Sequence, residues 1–237
     1  MKRNQSGFTL IEIAIVLVII GLLLGGVMKG QELINSAKVK NLATDFRNIP
    51  VLIYAYQDKF KSLPGDDPSV VLHLGGECVE ATCKATTGGT VGNGLLEGSW
   101  NSYTGTDESY HFWQHVRFAG LTLGPTAIPA APAIGDGYRP VNAAGGEIGI
   151  QSGTSDVAKT PLLNSTNTVI PGTYVLCSPN ILGKFAKLLD TQIDDGVTDT
   201  GNMLVYNNKG SNYALGKKAT ANADIADTDI SIVCMGV

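Results

Sequence analysis

The chain of 237 residues is poor in charge: Asp, Glu, Lys and Arg make up 16% of it, where a soluble globular chain carries about a quarter. Aromatic residues are few, at 7%, and there are only 3 histidines. No Gly-x-Ser-x-Gly elbow, His-Glu-x-x-His pair or phosphate-cradling glycine loop occurs, so the motifs that announce common hydrolases, zinc proteases and nucleotide enzymes are missing. Paired acids occur, but nothing in their spacing aims them at a substrate, and the chain is not expected to be an enzyme. A basic excess is also lacking. A net charge of −4 and a pI near 5.3 argue against a basic nucleic-acid-binding domain. With 43% hydrophobic residues and so small a net charge, the chain is not disordered. Its length suits one ordinary domain with an appendage, or two small domains.

What charge there is lies unevenly. Residues 1–61 hold 8 Lys/Arg against 4 Asp/Glu, whereas residues 62–237 hold 9 against 17. The basic end opens with Lys2-Arg3, and residues 8–28 follow as an apolar run with one charge, Glu12. About 20 residues of helix span the hydrocarbon core of a bilayer. Positive charge before the run should stay cytoplasmic and place the body on the far side. No small-x-small cleavage site closes the run, so a conventional signal peptide fits less well. Instead, Ile34, Ala37, Leu42, Phe46, Ile49, Ile53, Tyr56 and Phe60 recur every three to four residues. One helix is expected from about residue 8 to 60, apolar all round at first and one-sided later. Pro50 should kink it.

A plain membrane anchor with a stalk would not need Glu12. A carboxylate within a membrane segment costs roughly 2.5–3.5 kcal/mol at the centre and less near an interface. If the chain is cut after Gly7, the new α-amine on Phe8 lies one helical turn from Glu12. A neighbouring subunit's amine could then neutralise the carboxylate inside a bundle of such helices.

Gly7-Phe8-Thr9-Leu10-Ile11-Glu12, after a short basic leader and before an apolar helix, resembles the processing signal of type IV pilins and type II secretion pseudopilins. The resemblance covers residues 1–30 closely and extends more loosely to about 61. Gly21 matches a family glycine around which the helix can unwind, and Pro50 falls near a family proline. Lys29 stands where many pilins carry a helix-breaking proline. The resemblance implies a leader at 1–7, a transmembrane and filament-core helix at 8–28, its amphipathic continuation at 29–61 and a globular head at 62–237. It also implies prepilin peptidase cutting between Gly7 and Phe8, N-methylation of Phe8, and pairing of Glu12 with an adjacent subunit's N-terminus. The implied partners are identical or related pilin subunits, the inner membrane and a pilus or type II secretion assembly platform. The chain would sit as a single-pass inner-membrane protein with a periplasmic head, then in an extracellular pilus or a periplasmic pseudopilus.

In the body, Leu63-Pro64-Gly65-Asp66-Asp67-Pro68 should end the long helix. Residues 75–105 read as loop or short strands, with a tight turn at Asn93-Gly94. A helix is expected at about 107–119, with an apolar face of Phe112, Val116 and Ala119. His111 and His115 lie at a spacing that can hold a metal, although a surface or partly packed pair is the default. Residues 120–150 read as an irregular surface connection. Residues 173–177, 203–206 and 229–235 read as strands. Ser178-Pro179 reads as the start of a helix reaching about 193, and 216–228 as a polar loop. The fold class is α+β, with an antiparallel sheet packed on the amphipathic half of the long helix.

Asp190, Asp194, Asp195 and Asp199 crowd the end of the second of these helices. They either make local turns around a left-handed Gly196 or offer carboxylates to calcium. Some pseudopilins bind calcium in their heads, but no ligand transfers by motif, and no other cofactor is expected. Four cysteines outside the membrane segment suggest two disulfides. Three connectivities are open, and the expected one is Cys78–Cys83 with Cys177–Cys234. The expected function is therefore a structural pilus or pseudopilus subunit. The alternatives are a minor pilin acting as an adhesin or DNA-uptake module, and a membrane-anchored periplasmic enzyme. The acidic body speaks against nucleic acid as a partner, the local pair Lys217-Lys218 apart.

Overall fold

The computed structural model describes residues 9–86, 90–208 and 213–237. The chain divides into two compact units, Met1–Lys38 and Val39–Val237. Helix α1 (Leu10–Phe60) contributes to both and runs through Pro50. In the first unit its apolar residues are exposed, Leu10, Leu17, Leu22 and Met28 among them. It is the one helix among the described residues long and apolar enough to cross a membrane. Thr9 and Glu12 start it as a reciprocal cap. Glu12 Oε2 accepts from the Thr9 amide and hydroxyl, both at 2.8 Å, and the Glu12 amide donates back to Thr9 Oγ1 at 3.3 Å. This is the Thr-x-x-Glu capping box, a signal present in the sequence.

In the second unit, α1 buries Val39, Leu42, Phe46, Ile49, Ile53 and Tyr56, the three-to-four spacing of a one-sided helix. They meet the main core, which includes Leu176, Val205 and Val233 of the sheet. Short helices α2 (Val70–Leu74) and α3 (Glu80–Cys83) follow the turn after α1, then α4 (Glu108–Phe118). Strand β1 (Gly149–Ser152) and the two-residue β2 (Leu162–Leu163) precede β3 (Tyr174–Leu182) and α5 (Gly183–Ile193). The chain closes with β4 (Met203–Asn207), β5 (Lys217–Lys218) and β6 (Ile230–Gly236). The main sheet is antiparallel throughout, in the order β1-β3-β6-β4. β2 and β5 form a separate parallel pair.

Both faces of the main sheet are covered. Leu176, Met203, Val205, Val233 and Met235 face the α1 side. Their neighbours Val175, Cys177, Leu204, Ile232 and Cys234 belong to a second core with Trp100, Leu162, Ile170 and Ala219. The alternation is the period of two that a strand imposes. Because each face is buried, residues 175–177, 203–205 and 232–235 read in sequence as unbroken apolar runs.

Three expectations need correction. The helix expected from Ser178-Pro179 does not start there. β3 continues to Leu182, with a register shift between Ser178 and Ile181. The irregularity accommodates a residue without an N–H, Pro179, and a left-handed Asn180 with φ 63°. Asn142 Nδ2 braces it by donating to Ser178 Oγ at 2.6 Å and to the Pro179 carbonyl at 2.7 Å. α5 begins at Gly183, where the Gly183 and Lys184 amides donate to the carbonyls of Asp229 and Asp227. A side chain at Gly183 would strike the Ala226 carbonyl, so the start of α5 is set by the 225–229 segment lying against it.

Second, α4 has no exposed face: every residue from Glu108 to Arg117 is buried. His111 and His115 are interior groups, not a surface pair. Third, the 120–150 connection does not lie wholly on the surface. Tyr138, Arg139, Asn142, Glu147, Ile148 and Ile150 are all buried.

Candidate functional site

The residues expected to be processed and to direct assembly open the chain. Gly7 and Phe8 lie outside the described residues. Glu12 is described, exposed and held by Thr9 of its own chain. Beyond it, all the large apolar side chains from Leu10 to Met28 stand open. Apolar surface returns about 25 cal/mol per Å² when removed from water, so this surface calls for lipid or protein around it.

In the head, the four cysteines form Cys78–Cys83 and Cys177–Cys234. The first closes around α3. The second joins residues directly opposed in register on β3 and β6, within the core on the far side of the sheet from α1.

The aspartates after α5 make local bonds. Asp194 Oδ2 accepts from the Asn202 and Met203 amides at 2.6 and 2.8 Å. Asp195 accepts from the Val197 amide at 2.8 Å and the Thr200 hydroxyl at 2.7 Å. Gly196 is left-handed, with φ 81°, although the helix itself ends at Ile193 and is capped by Asp194. The Asp199 carbonyl accepts from the Ser165 amide. Asp190 is fully buried. Burial pushes its carboxyl up to about 7 against the opposing amides of Gly196 and Val197, and Asp195 and Asp194 add to the rise. Among the described residues, no group of three or more His, Cys, Asp or Glu is arranged to hold a metal ion.

His115 has a structural task. Its Nδ1 accepts from the Gly65 amide at 2.9 Å, which leaves the proton on Nε2, 2.7 Å from the Cys83 carbonyl. The ring thus ties the turn after α1 to the small disulfide loop. His111 Nδ1 lies 3.0 Å from Gln114 Oε1, and the two imidazoles are 5.9 Å apart at their centroids. Burial lowers the His115 pKa to about 4, whereas an unfolded histidine titrates near 6.5. The unfolded state therefore takes up the proton first, and stability falls as pH drops from about 6.5 towards 4. This difference corresponds to roughly 3 kcal/mol. His115→Gln, which can keep both hydrogen bonds without titrating, should remove this acid-side loss in urea titrations near pH 7 and pH 4.5. An unchanged pH dependence would contradict this assignment.

Three buried polar assemblies escaped the sequence reading. Asp67 accepts from the Tyr56 hydroxyl and the Ser69 amide and meets His73 Nδ1 at 2.7 Å. Arg139 and Glu147 form a buried ion pair. Asp66 and Glu108 bring two carboxyl groups together. None has a motif spacing. The turn sequence around Asp66-Asp67 was visible, but its partners lie on distant elements.

Residues 2–28 match the family model described as the prokaryotic N-terminal methylation motif, the signature of type IV pilins and pseudopilins. No curated protein and no solved structure matches the chain.

Proposed function

We propose that this chain is a structural, non-enzymatic subunit of a type IV pilus or a secretion pseudopilus. It is made as a prepilin, cut by prepilin peptidase between Gly7 and Phe8 and methylated on the Phe8 α-amine. It then polymerises with identical or related subunits through the apolar part of α1. The observation that carries this reading is the continuity of the methylation motif at residues 2–28 with a helix whose membrane-length apolar stretch is not buried at all.

Lys2 and Arg3 hold the N-terminus on the cytoplasmic side, so the head faces the periplasm before assembly. Within the filament, packing of neighbouring helices replaces lipid, and extraction need not expose the apolar stretch to water. Glu12 then exchanges its local partner, Thr9, for the N-terminal amine of an adjacent subunit. An opposite charge outmatches a hydroxyl and an amide for a carboxylate in a low-dielectric bundle.

Co-expression with a prepilin peptidase should remove residues 1–7, and the mature chain should carry one added methyl group by intact mass. An uncut chain that is nonetheless membrane-inserted would sink the assignment. Glu12→Ala should be processed normally yet form few or no filaments. Filaments at wild-type yield would refute the role given to Glu12.

A further inference from the structure

The turn that ends α1 is gripped by α4 at two adjacent residues. His115 takes the Gly65 amide, and Glu108, at the start of α4, meets Asp66. The packing is close, since a side chain at Gly65 would collide with the Glu108 carbonyl and with Leu96. Asp66 and Glu108 are 2% and 0% exposed. Asp66 accepts from the amides of Gly92 and Gly94, so its oxygens are already engaged. Glu108 Oε2 accepts from the Glu97 amide at 2.8 Å. Its other oxygen, Oε1, is buried with no donor to satisfy it. A buried acceptor without a donor costs free energy, and two carboxylates in contact away from water cost more.

We infer that Glu108 is carried as a carboxylic acid that donates its proton to Asp66, closing a proton-dependent clasp between the end of α1 and the start of α4. The proton turns the orphaned Oε1 into a donor and removes one of two facing negative charges. The surroundings favour it. From the 92–98 segment Glu97 faces the pair, and its Oε2 is buried without a partner. From the turn, Asp67 follows Asp66, its own bonds going to Tyr56, Ser69 and His73. From α4 itself come Asp107, His111 and His115. The N-terminus of α4 favours a negative charge there, but burial outweighs it and pushes the carboxyl up to about 7, with Asp66 and Glu97 adding to the rise.

The sign is opposite to that of His115. The folded state holds the Glu108 proton more tightly than the unfolded chain, whose glutamates titrate near 4.5. Stability is therefore fully present below about 4.5 and is lost as pH rises through about 7. His115 must stay neutral and Glu108 must stay protonated, so both grips on the Gly65-Asp66 turn hold only between about 4 and about 7. The clasp is a pH-sensitive latch within the head, and it stands whether or not the filament reading is right.

The test uses the full chain in detergent micelles, melted by near-ultraviolet circular dichroism near pH 5.5 and pH 8.5. Glu108→Gln keeps an acceptor for the Glu97 amide and a permanent donor for Asp66. It should exceed wild type only slightly at the lower pH, where part of the proton-linked stability is already lost, and melt about 5 °C higher than wild type at the upper one. Asp190→Asn serves as the control for the other carboxyl raised to about 7. In difference infrared spectra of the wild type, a protonated-carboxyl band should titrate near neutrality and be absent from Glu108→Gln. A Glu108→Gln chain that melts below wild type at the upper pH would overturn the clasp. So would a wild type that EDTA destabilises and calcium restores, which would place a bridging cation between the carboxylates instead. Absence of the titrating band would overturn it even if neither variant folded.

Discussion

Arg139→Ala is expected to lower the stability of the head by about 3–5 kcal/mol, the scale for leaving one member of a buried ion pair without its partner. The Arg139 and Glu147 side chains are only 4% and 7% exposed. Nε and Nη2 of Arg139 both donate to Glu147 Oε2, at 3.0 and 2.7 Å, while Nη1 donates to the Trp100 carbonyl at 2.9 Å. The Tyr103 hydroxyl and the Gly135 amide complete the carboxylate at 2.8 and 2.6 Å. The guanidinium also stacks on the Tyr103 ring, 4.3 Å from its centroid. Truncating Arg139 would leave Glu147 charged and buried with two neutral donors, and would free a carbonyl beside the sheet. Replacing both partners by apolar residues, as in Arg139→Met with Glu147→Leu, should recover much of the loss, because neither charge then remains to be desolvated. Urea denaturation of the three chains reads the difference. A loss below about 1 kcal/mol for Arg139→Ala would mean that the pair behaves like an exposed one.

Removing the Cys177–Cys234 bridge by replacing both residues with alanine should cost about 4 kcal/mol, against about 2 kcal/mol for the same change at Cys78 and Cys83. The chain-entropy model produces both figures from loop size alone. The first bridge spans 57 residues and the second spans 5. The larger loop contains α5, β4 and β5, so opening it frees most of the C-terminal third in the unfolded state. Both cysteines are also fully buried within the second core, across β3 and β6, which adds a packing loss to the entropic one. Equal destabilisation by the two double substitutions would show that loop length does not govern these bridges.

The parts of the fold that the sequence announced are those whose signal is local. The apolar stretch of α1 is a property of composition over consecutive residues, and its buried stripe in the head is a property of spacing. Strands β4 and β6 were visible because both of their faces are buried, which leaves residues 203–206 and 232–235 without a charged or amide interruption. The same logic explains the error at β3. Ser178 and Pro179 imitate a helix start, and nothing nearby in sequence shows that β6 holds them in a ladder. The helix α4 misled for a related reason. Its polar residues suggested a wet face, yet Glu108, His111, Gln114, His115 and Arg117 all lie inside the protein, each with at least one polar atom bonded there. Gln114 and Arg117, for example, donate to the carbonyls of Thr126 and Pro125.

The sequence by itself determined a methylation motif and a helix long and apolar enough to cross a membrane, joined to an α+β head. A methylation motif and a membrane-length apolar run are written in adjacent residues and act through them. Only the tertiary structure decided which polar groups go inside: Arg139 against Glu147, Glu108 against Asp66, and His115 between Gly65 and Cys83. Each group is tolerable in the core only because a partner from another element meets it there. The free energy of burying a charge or a lone hydrogen-bonding atom depends on what surrounds it in space, and no spacing along the chain records that.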